Sequence, residues 1–349
     1  MRLVDLFSRF WKPHTTSGLL IEPEYAHRYP LVFNKTLMGI EIEAEGFRGF
    51  DLPQDDALRI QLEWIHKPEN SLRDRGIEFV THPIKGAEVG YALYLLDKMN
   101  RNGGLYYSEL AGLHVHLNVR DFTVEQFTNL AMLYLVFEDS LYRISGQRQR
   151  SIYCLPARTS WSGLSYLIEA GDMATAIGQA NKYMGFNYKT IKTFGTVEYR
   201  HSKGTPHTSY ILHWINTLLR MHIAAKQFQT LELRERLFWL NTNSSYQQFA
   251  NEIFKEEVDW INCPDLPTEM SEGVSILKEW SIKPHLSSQK ILDQQGKGKK
   301  KPELPGRKVF VNPMPIGVGG IVWDGRMVDI PQKVVVPVVN RIIVDDAEN

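Results

Sequence analysis

Residues 37–47, LMGIEIEAEGF, alternate apolar and acidic side chains with a period of two. That period marks a half-buried strand, because successive side chains of an extended chain point to opposite faces. Glu41 and Glu43 therefore project side by side from one face. Two carboxylates at that spacing repel each other. On a solvated face the pair is harmless; held inward it needs a cation, and an oxygen-rich site suits Mg²⁺ or Mn²⁺. The apolar flanks, the leading Gly39 and a third acid at Glu45 favour the inward arrangement.

Outward from this stretch the chain mixes strands and helices. GIEFVTHP (76–83) reads as a second strand stopped by Pro83, and it carries a further carboxylate, Glu78, among apolar neighbours. Residues 86–101 have apolar residues at helical spacing and end at Gly103-Gly104, a helix stop; LHVHLNV (113–119) returns to strand. Thr123 with Gln126 forms a capping box that opens a long helix over 124–144, closed by Gly146. A basic loop, GQRQRSIYCLPAR (146–158), leads to a helix expected at about 161–181. FGTVEYRHSKGT (194–205) reads as a strand and turn, and residues 209–228 as a third long helix. The order lacks the even strand-helix repeat of a doubly wound sheet or barrel, so the expected class is α+β with a mostly antiparallel sheet.

The domain plan is an irregular lead-in at 1–35, a catalytic core at 36–230, a helical extension at 231–293, a basic linker at 294–308 and a β-prone arm at 309–349. Residues 297–308 hold six basic residues and one acid among glycines and prolines, the composition of a flexible linker. No aromatics interleave with that run, which speaks for solvation over nucleic acid. Asp324-Gly325 offers a hairpin turn within the arm, and its prolines suit edge strands.

Composition excludes several classes. Forty basic and forty acidic residues balance, so no global field recruits nucleic acid or an anionic membrane. Cys154 and Cys263 are the only cysteines, too few for a disulfide framework or a cysteine-rich zinc module, and they suit a reducing compartment. No window reaches the about 18 apolar residues of a membrane span, and the first residues, MRLVDLFSRFWKPH, show no cleavable leader, so a cytoplasmic location is expected.

Two more pairs repeat the i, i+2 geometry. His114 and His116 share a strand face; two imidazoles so placed bind a metal or contact phosphate, and equally serve zinc hydrolases, while a single strand histidine is commonly structural. Glu198 and Arg200 combine a metal-type carboxylate with a guanidinium fork for a carboxylate or phosphate, although such a pair alone is commonly a cross-strand salt bridge. Together with Glu78, the three pairs describe a site that holds cations and an anionic substrate at once. Phosphoryl transfer needs that combination, because metal ions and arginines neutralise charge on the transferred phosphate.

At GIEIE (39–43), EFVTHP (78–83), GLHVH (112–116), RQRSIYC (148–154) and TVEYR with its following GT (196–205), the chain resembles the amidoligase family, a branch of the glutamine-synthetase-like carboxylate-amine ligases. The resemblance covers roughly residues 35–225, with the motifs in the family's order. It implies a curved, mostly antiparallel sheet of glutamine-synthetase-like type packed with helices, carrying Mg²⁺ (or Mn²⁺) and ATP. The γ-phosphate would pass to a substrate carboxylate, and an amine would attack the acyl phosphate. By position, Glu41, Glu43, Glu78 and Glu198 would bind metal, with His114 a further candidate ligand and His116 near the phosphates. Arg200 would hold the substrate carboxylate or the transferring phosphate, and Arg148 or Arg150 the other anion. Asn187 stands where the family often has an asparagine. Ala111 replaces a cysteine common in relatives, and Tyr199 departs from the family's EFR without removing a ligand. The resemblance also implies a glutamine amidotransferase-like partner; an oligomer stays open. Two readings of other classes stand beside it: a zinc metallohydrolase built on the histidine pair, and a binding or assembly protein whose arm docks a partner by strand addition.

Overall fold

The alternation at 37–47 becomes strand β1, Met38–Ala44, at the middle of an open six-stranded antiparallel sheet. The computed structural model describes residues 1–11, 30–33, 35–49, 53–102, 104–160 and 162–295 and two short strands near the C-terminus, with side chains followed to residue 280. The other strands are β2 (Trp64–Pro68), β3 (Ile77–Thr81), β4 (Gly112–Asn118), β5 (Phe186–Asn187) and β6 (Thr196–Lys203). Their spatial order is β2-β3-β1-β4-β6-β5, every pair antiparallel, so the sheet-and-helix class expected from the sequence holds.

Ile40, Ile42, Phe79, Val115, Val197 and Tyr199 turn to one face of the sheet and are fully buried. Three helices meet that face: Ala87–Asn102, Val124–Ile144 and Thr208–Gln227. Trp64 Nε1 donates to Ala92 O in the first, the Tyr134 ring of the second stacks on Phe186 with centroids 4.3 Å apart, and His222 of the third bonds the Tyr199 hydroxyl. Full burial of each large apolar side chain stabilises the fold by about 1.5–3 kcal/mol, which makes this layer the main source of stability. The opposite face carries the charged alternates.

Thr123 caps the Val124 helix as expected: its hydroxyl accepts from Gln126 N–H at 3.1 Å, and Gln126 Oε1 accepts from Thr123 N–H at 2.9 Å. Other expectations need revision. The helix expected at 161–181 is two, Ser162–Ala170 and Met173–Gln179, because Gly171 adopts φ +63° and Asp172 caps the second. The lead-in is not wholly irregular: Leu3–Phe7 is helical, and Leu3 N–H donates to Phe122 O at 2.8 Å. The helix Gln54–Glu63 and the edge strand β2 were not read from sequence, since the strand buries only Trp64 and shows no alternation.

The chain divides into two units, Met1–Leu286 and Ser287–Asn349. The segment after residue 230 continues as the helices Thr230–Trp239, Asn243–Phe254, Val258–Ile261 and Leu266–Gln295. In the second unit Ile321–Trp323 pairs antiparallel with Arg326–Val328, flanking the expected Asp324-Gly325 turn. That turn, the rest of the arm at 309–349 and the linker from 296 onward lie outside the described residues. Among the described residues, no helix is long and apolar enough to cross a membrane.

Candidate metal and anion site

Strand register, more than sequence spacing, builds the site. Glu41 stands opposite His114, Gly39 opposite His116, and His116 opposite Glu198, whose other neighbour is Asn187. A parallel row runs Lys67, Glu78, Glu43. All three expected pairs and Glu78 thus meet on one sheet face. Glu43, Glu78, Glu198 and His114 are each more than nine-tenths buried, so their charges cannot be dispersed into solvent.

The contacts converge on two carboxylates. His114 Nδ1 lies 3.2 Å from Glu41 Oε2 and 3.6 Å from Glu198 Oε1. His116 Nε2 lies 3.3 Å from Glu41 Oε1 and 3.9 Å from Glu198 Oε1, and no hydrogen bond satisfies it, while its Nδ1 meets Thr196 Oγ1 at 3.1 Å. An imidazole whose far nitrogen is held by a hydroxyl and whose near nitrogen is buried without a bond is arranged as a metal ligand is. Arg200 Nη1 pairs with Glu198 Oε1 and its Nε donates to Tyr153 O at 3.2 Å. Asn187 Nδ2 donates to Glu198 Oε2 at 2.7 Å.

A bulge in β6 lies opposite His114. Leu113 pairs with Ser202 but Val115 with Tyr199, so Arg200 and His201 together oppose His114. Alternation along β6 keeps Arg200 on the face of Glu198 and turns His201 into the core beside Tyr199, where its Nε2 meets the Tyr134 hydroxyl at 2.8 Å.

Gly112 closes the site from β4. Its N–H donates to Glu43 Oε2 at 2.6 Å. A Cβ there would lie 2.7 Å from Arg148 Nη1, 2.8 Å from His114 Nε2 and 2.9 Å from Glu43 Oε2, so only glycine admits the convergence.

The buried charges shift one another's protonation. Burial pushes the Glu41 carboxyl up, but the charge of His116 and the contact and charge of His114 outweigh it, leaving Glu41 well below the usual carboxylate range. Glu198 is lowered in the same way: burial opposes, and His116, Arg200 and His114 prevail. Burial and the charge of Glu41 hold Glu78 above its ordinary value against the pull of Lys67. Burial pulls His116 down, yet the charges of Glu41 and Glu198 hold it above its ordinary value.

Among the described residues, three groups can each offer three ligand atoms within 4.8 Å of one another: Glu41–His116–Glu198, Glu41–Glu78–His114 and Glu43–Glu69–Glu78. The histidines fall in separate groups, each beside two carboxylates. Such oxygen-rich sets suit Mg²⁺ or Mn²⁺ better than the nitrogen-rich sets of zinc hydrolases.

The arginine-rich loop divides. Arg148 is buried beside Gly112, but Nη1 donates to Ser202 O at 2.9 Å and Nη2 to Leu110 O at 3.2 Å. These bonds make it a strut that ties the loop to β6, with only part of its fork left for an anion. Arg150 is exposed and forms no hydrogen bond or ion pair with the described residues. Sequence reasoning missed Lys67 and Glu69, which β2 and the loop after it carry to the acidic row; no period-two pattern flags them.

Residues 33–222 match the family model described as putative amidoligase enzyme, a span of more than half the chain that contains every site residue named above. No curated protein matches the chain.

Proposed function

The chain belongs to the amidoligase family, and from that premise we propose that it is an ATP-dependent ligase joining a carboxylate to an amine through an acyl phosphate. The observation that carries the reading is the convergence of Glu41, His116, Glu198 and Arg200: a carboxylate-rich ion site with a guanidinium fixed on its rim. A metal-only hydrolytic site has no need of that arginine. A phosphoryl-transfer site does.

The residues fit divalent ions because their charge is unbalanced, buried and preorganised by Gly112, Thr196 and Asn187. Bound Mg²⁺ or Mn²⁺ would be held by Glu41, His116 and Glu198, with Glu43, Glu69 and Glu78 completing the acidic field and His114 a further nitrogen ligand, and would neutralise phosphate charge. Arg200, held by Glu198 and Tyr153 O, is placed to pair with the substrate carboxylate or the transferring phosphate. The balanced reaction moves the γ-phosphoryl of ATP to a carboxylate oxygen, releasing ADP. The amine nitrogen then bonds to the acyl carbon, phosphate leaves with that oxygen, and the amine loses a proton.

A phosphate-release screen with Mg·ATP across paired amino acids, polyamines and acidic peptides, read with intact product mass, tests this. The expected result is ADP, phosphate and amide in equal amounts, dependent on both substrates and on the ion. Amide or ester hydrolysis by the zinc-loaded protein without ATP would overturn it. Repeating the screen with a glutamine amidotransferase-like protein as ammonia source tests the partner that the family suggests.

A further inference from the structure

The group Glu43–Glu69–Glu78 differs from the other two in holding no imidazole, and an ammonium, that of Lys67, already stands beside it. β2 sets Lys67 opposite Glu78 in register, and Lys67 Nζ forms an ion pair with Glu78 Oε2. The two partners differ in freedom: the Glu78 side chain is 7% exposed and that of Lys67 59%. The carboxylate is sunk in the sheet, whereas the ammonium reaches it from solvent on a flexible four-carbon stem. Backbone donors hold the remaining acids. Glu43 Oε2 takes Gly112 N–H at 2.6 Å, and Glu69 Oε1 takes Ser71 N–H at 2.9 Å. Ionised, three such carboxylates and one ammonium remain two charges short of neutrality. A divalent cation offsets that deficit with the ammonium still nearby, but an ion that takes Glu78 Oε2 as a ligand displaces the ammonium from that oxygen.

We propose that Lys67 is a built-in, displaceable cation, so that divalent ions load in order: first at Glu41–His116–Glu198, then at Glu43–Glu69–Glu78, where the entering ion expels Lys67 from Glu78. The inference rests on the ion site of the proposed function and adds a gate to it. The first group has no lysine to expel: its cation, Arg200, pairs with Glu198 Oε1 but is also anchored by its Nε on Tyr153 O, so it stays beside the ion. Once released, the Lys67 ammonium stays beside the second ion as a mobile donor for whatever anionic oxygen that ion brings.

Mn²⁺ titration, with free ion followed by electron paramagnetic resonance, tests the gate on wild-type protein, Lys67→Gln, Lys67→Arg and Glu198→Ala. The wild type should show a tighter and a weaker event. Lys67→Gln should tighten the weaker event by about five- to tenfold and leave the tighter one within twofold, the scale set by removing one partly exposed competing charge. Lys67→Arg should resemble wild type, and Glu198→Ala should lose the tighter event alone. A weaker event that is the same in wild type and Lys67→Gln, or a single event in both, would sink the gate while leaving the Glu198-dependent ion site standing. Absence of any Mn²⁺ binding to wild type would sink both. Lys67 lies on an edge strand with its side chain largely in solvent, so the variants are expected to fold, and a thermal melt verifies it.

Discussion

Asn187 donates its side-chain amide to Glu198 Oε2 at 2.7 Å from a two-residue edge strand, and it is only 3% exposed. One carboxylate oxygen is thereby fixed, and Oε1 is left for His114, His116 and Arg200. Removing the amide frees the carboxylate to rotate and leaves it short of a donor. Asn187→Ala is expected to weaken Mn²⁺ binding about 10- to 100-fold, as loss of a supporting hydrogen bond does at other metal sites. The same variant should lose about 1–3 kcal/mol of stability. An unchanged Mn²⁺ titration would show that Glu198 needs no such support.

Divalent ions should stabilise the fold through the carboxylates they neutralise. At about 100 times its dissociation constant, Mg²⁺ or Mn²⁺ should add about 2.7 kcal/mol to unfolding of the wild type. Glu198→Ala should lose most of that increment, and both Glu43→Ala and Glu198→Ala should abolish phosphate release. Thermal melts with and without ion check the first outcome, and the phosphate assay the second. An increment of equal size in Glu198→Ala would place the ion elsewhere.

Gly112→Ala tests the close approach of β4 to Glu43. The added methyl meets Arg148, His114 and Glu43 at under 3 Å, so Arg148 or the two site residues must move. Turnover should fall more than about 100-fold, the scale of a 1 Å displacement in a positioned site. The loss of stability should be only about 1–3 kcal/mol, that of an overpacked core. Wild-type turnover in Gly112→Ala would show that this convergence is not needed for the chemistry.

Two core histidines and one core glutamate give stability a predictable pH dependence. Burial lowers His201 to about 3, with the charge of Arg148 adding to it, and lowers His222 to about 3, with that of Lys226 adding to it. Both are neutral in the fold, so the unfolded chain takes up protons first. The stability they contribute is complete above about pH 6.5 and is lost as pH falls towards 3, by up to several kcal/mol each. Glu138 acts in the opposite sense. Burial raises it to about 7 against the Tyr134 hydroxyl and the Ala157 N–H, so its contribution is complete below about pH 4.5 and is lost as pH rises through 7. Urea unfolding between pH 4 and 8 should show a broad maximum near neutrality, and His222→Gln should flatten the acid side. An acid limb as steep in His222→Gln as in wild type would remove that histidine from the account.

Much of the site was legible because its signals are local. Any extended strand places residues i and i+2 on one face, so Glu41/Glu43, His114/His116 and Glu198/Arg200 could be paired without knowledge of their neighbours. The Thr123 capping box was equally local. Lys67 and Glu69 escaped because β2 buries a single residue and leaves no alternation, and a loop carboxylate carries no periodicity at all. Arg148 was expected to hold an anion, but its donors are drawn to the Ser202 and Leu110 carbonyls, which a linear reading cannot see.

The sequence by itself determined that this chain builds an antiparallel sheet with helices and that acids, imidazoles and a guanidinium lie on strand faces. Those properties follow from side-chain period and chemistry within a few residues. Tertiary structure decided which groups meet: Glu41 with His114, His116 with Glu198, Glu78 with Glu43 and Lys67. Such pairings join residues distant in the chain through strand register, and a slip of one residue would turn a whole row of charges into the core. The β6 bulge, which sets Arg200 and His201 together against His114, belongs to the same class, because it exists only between two paired strands.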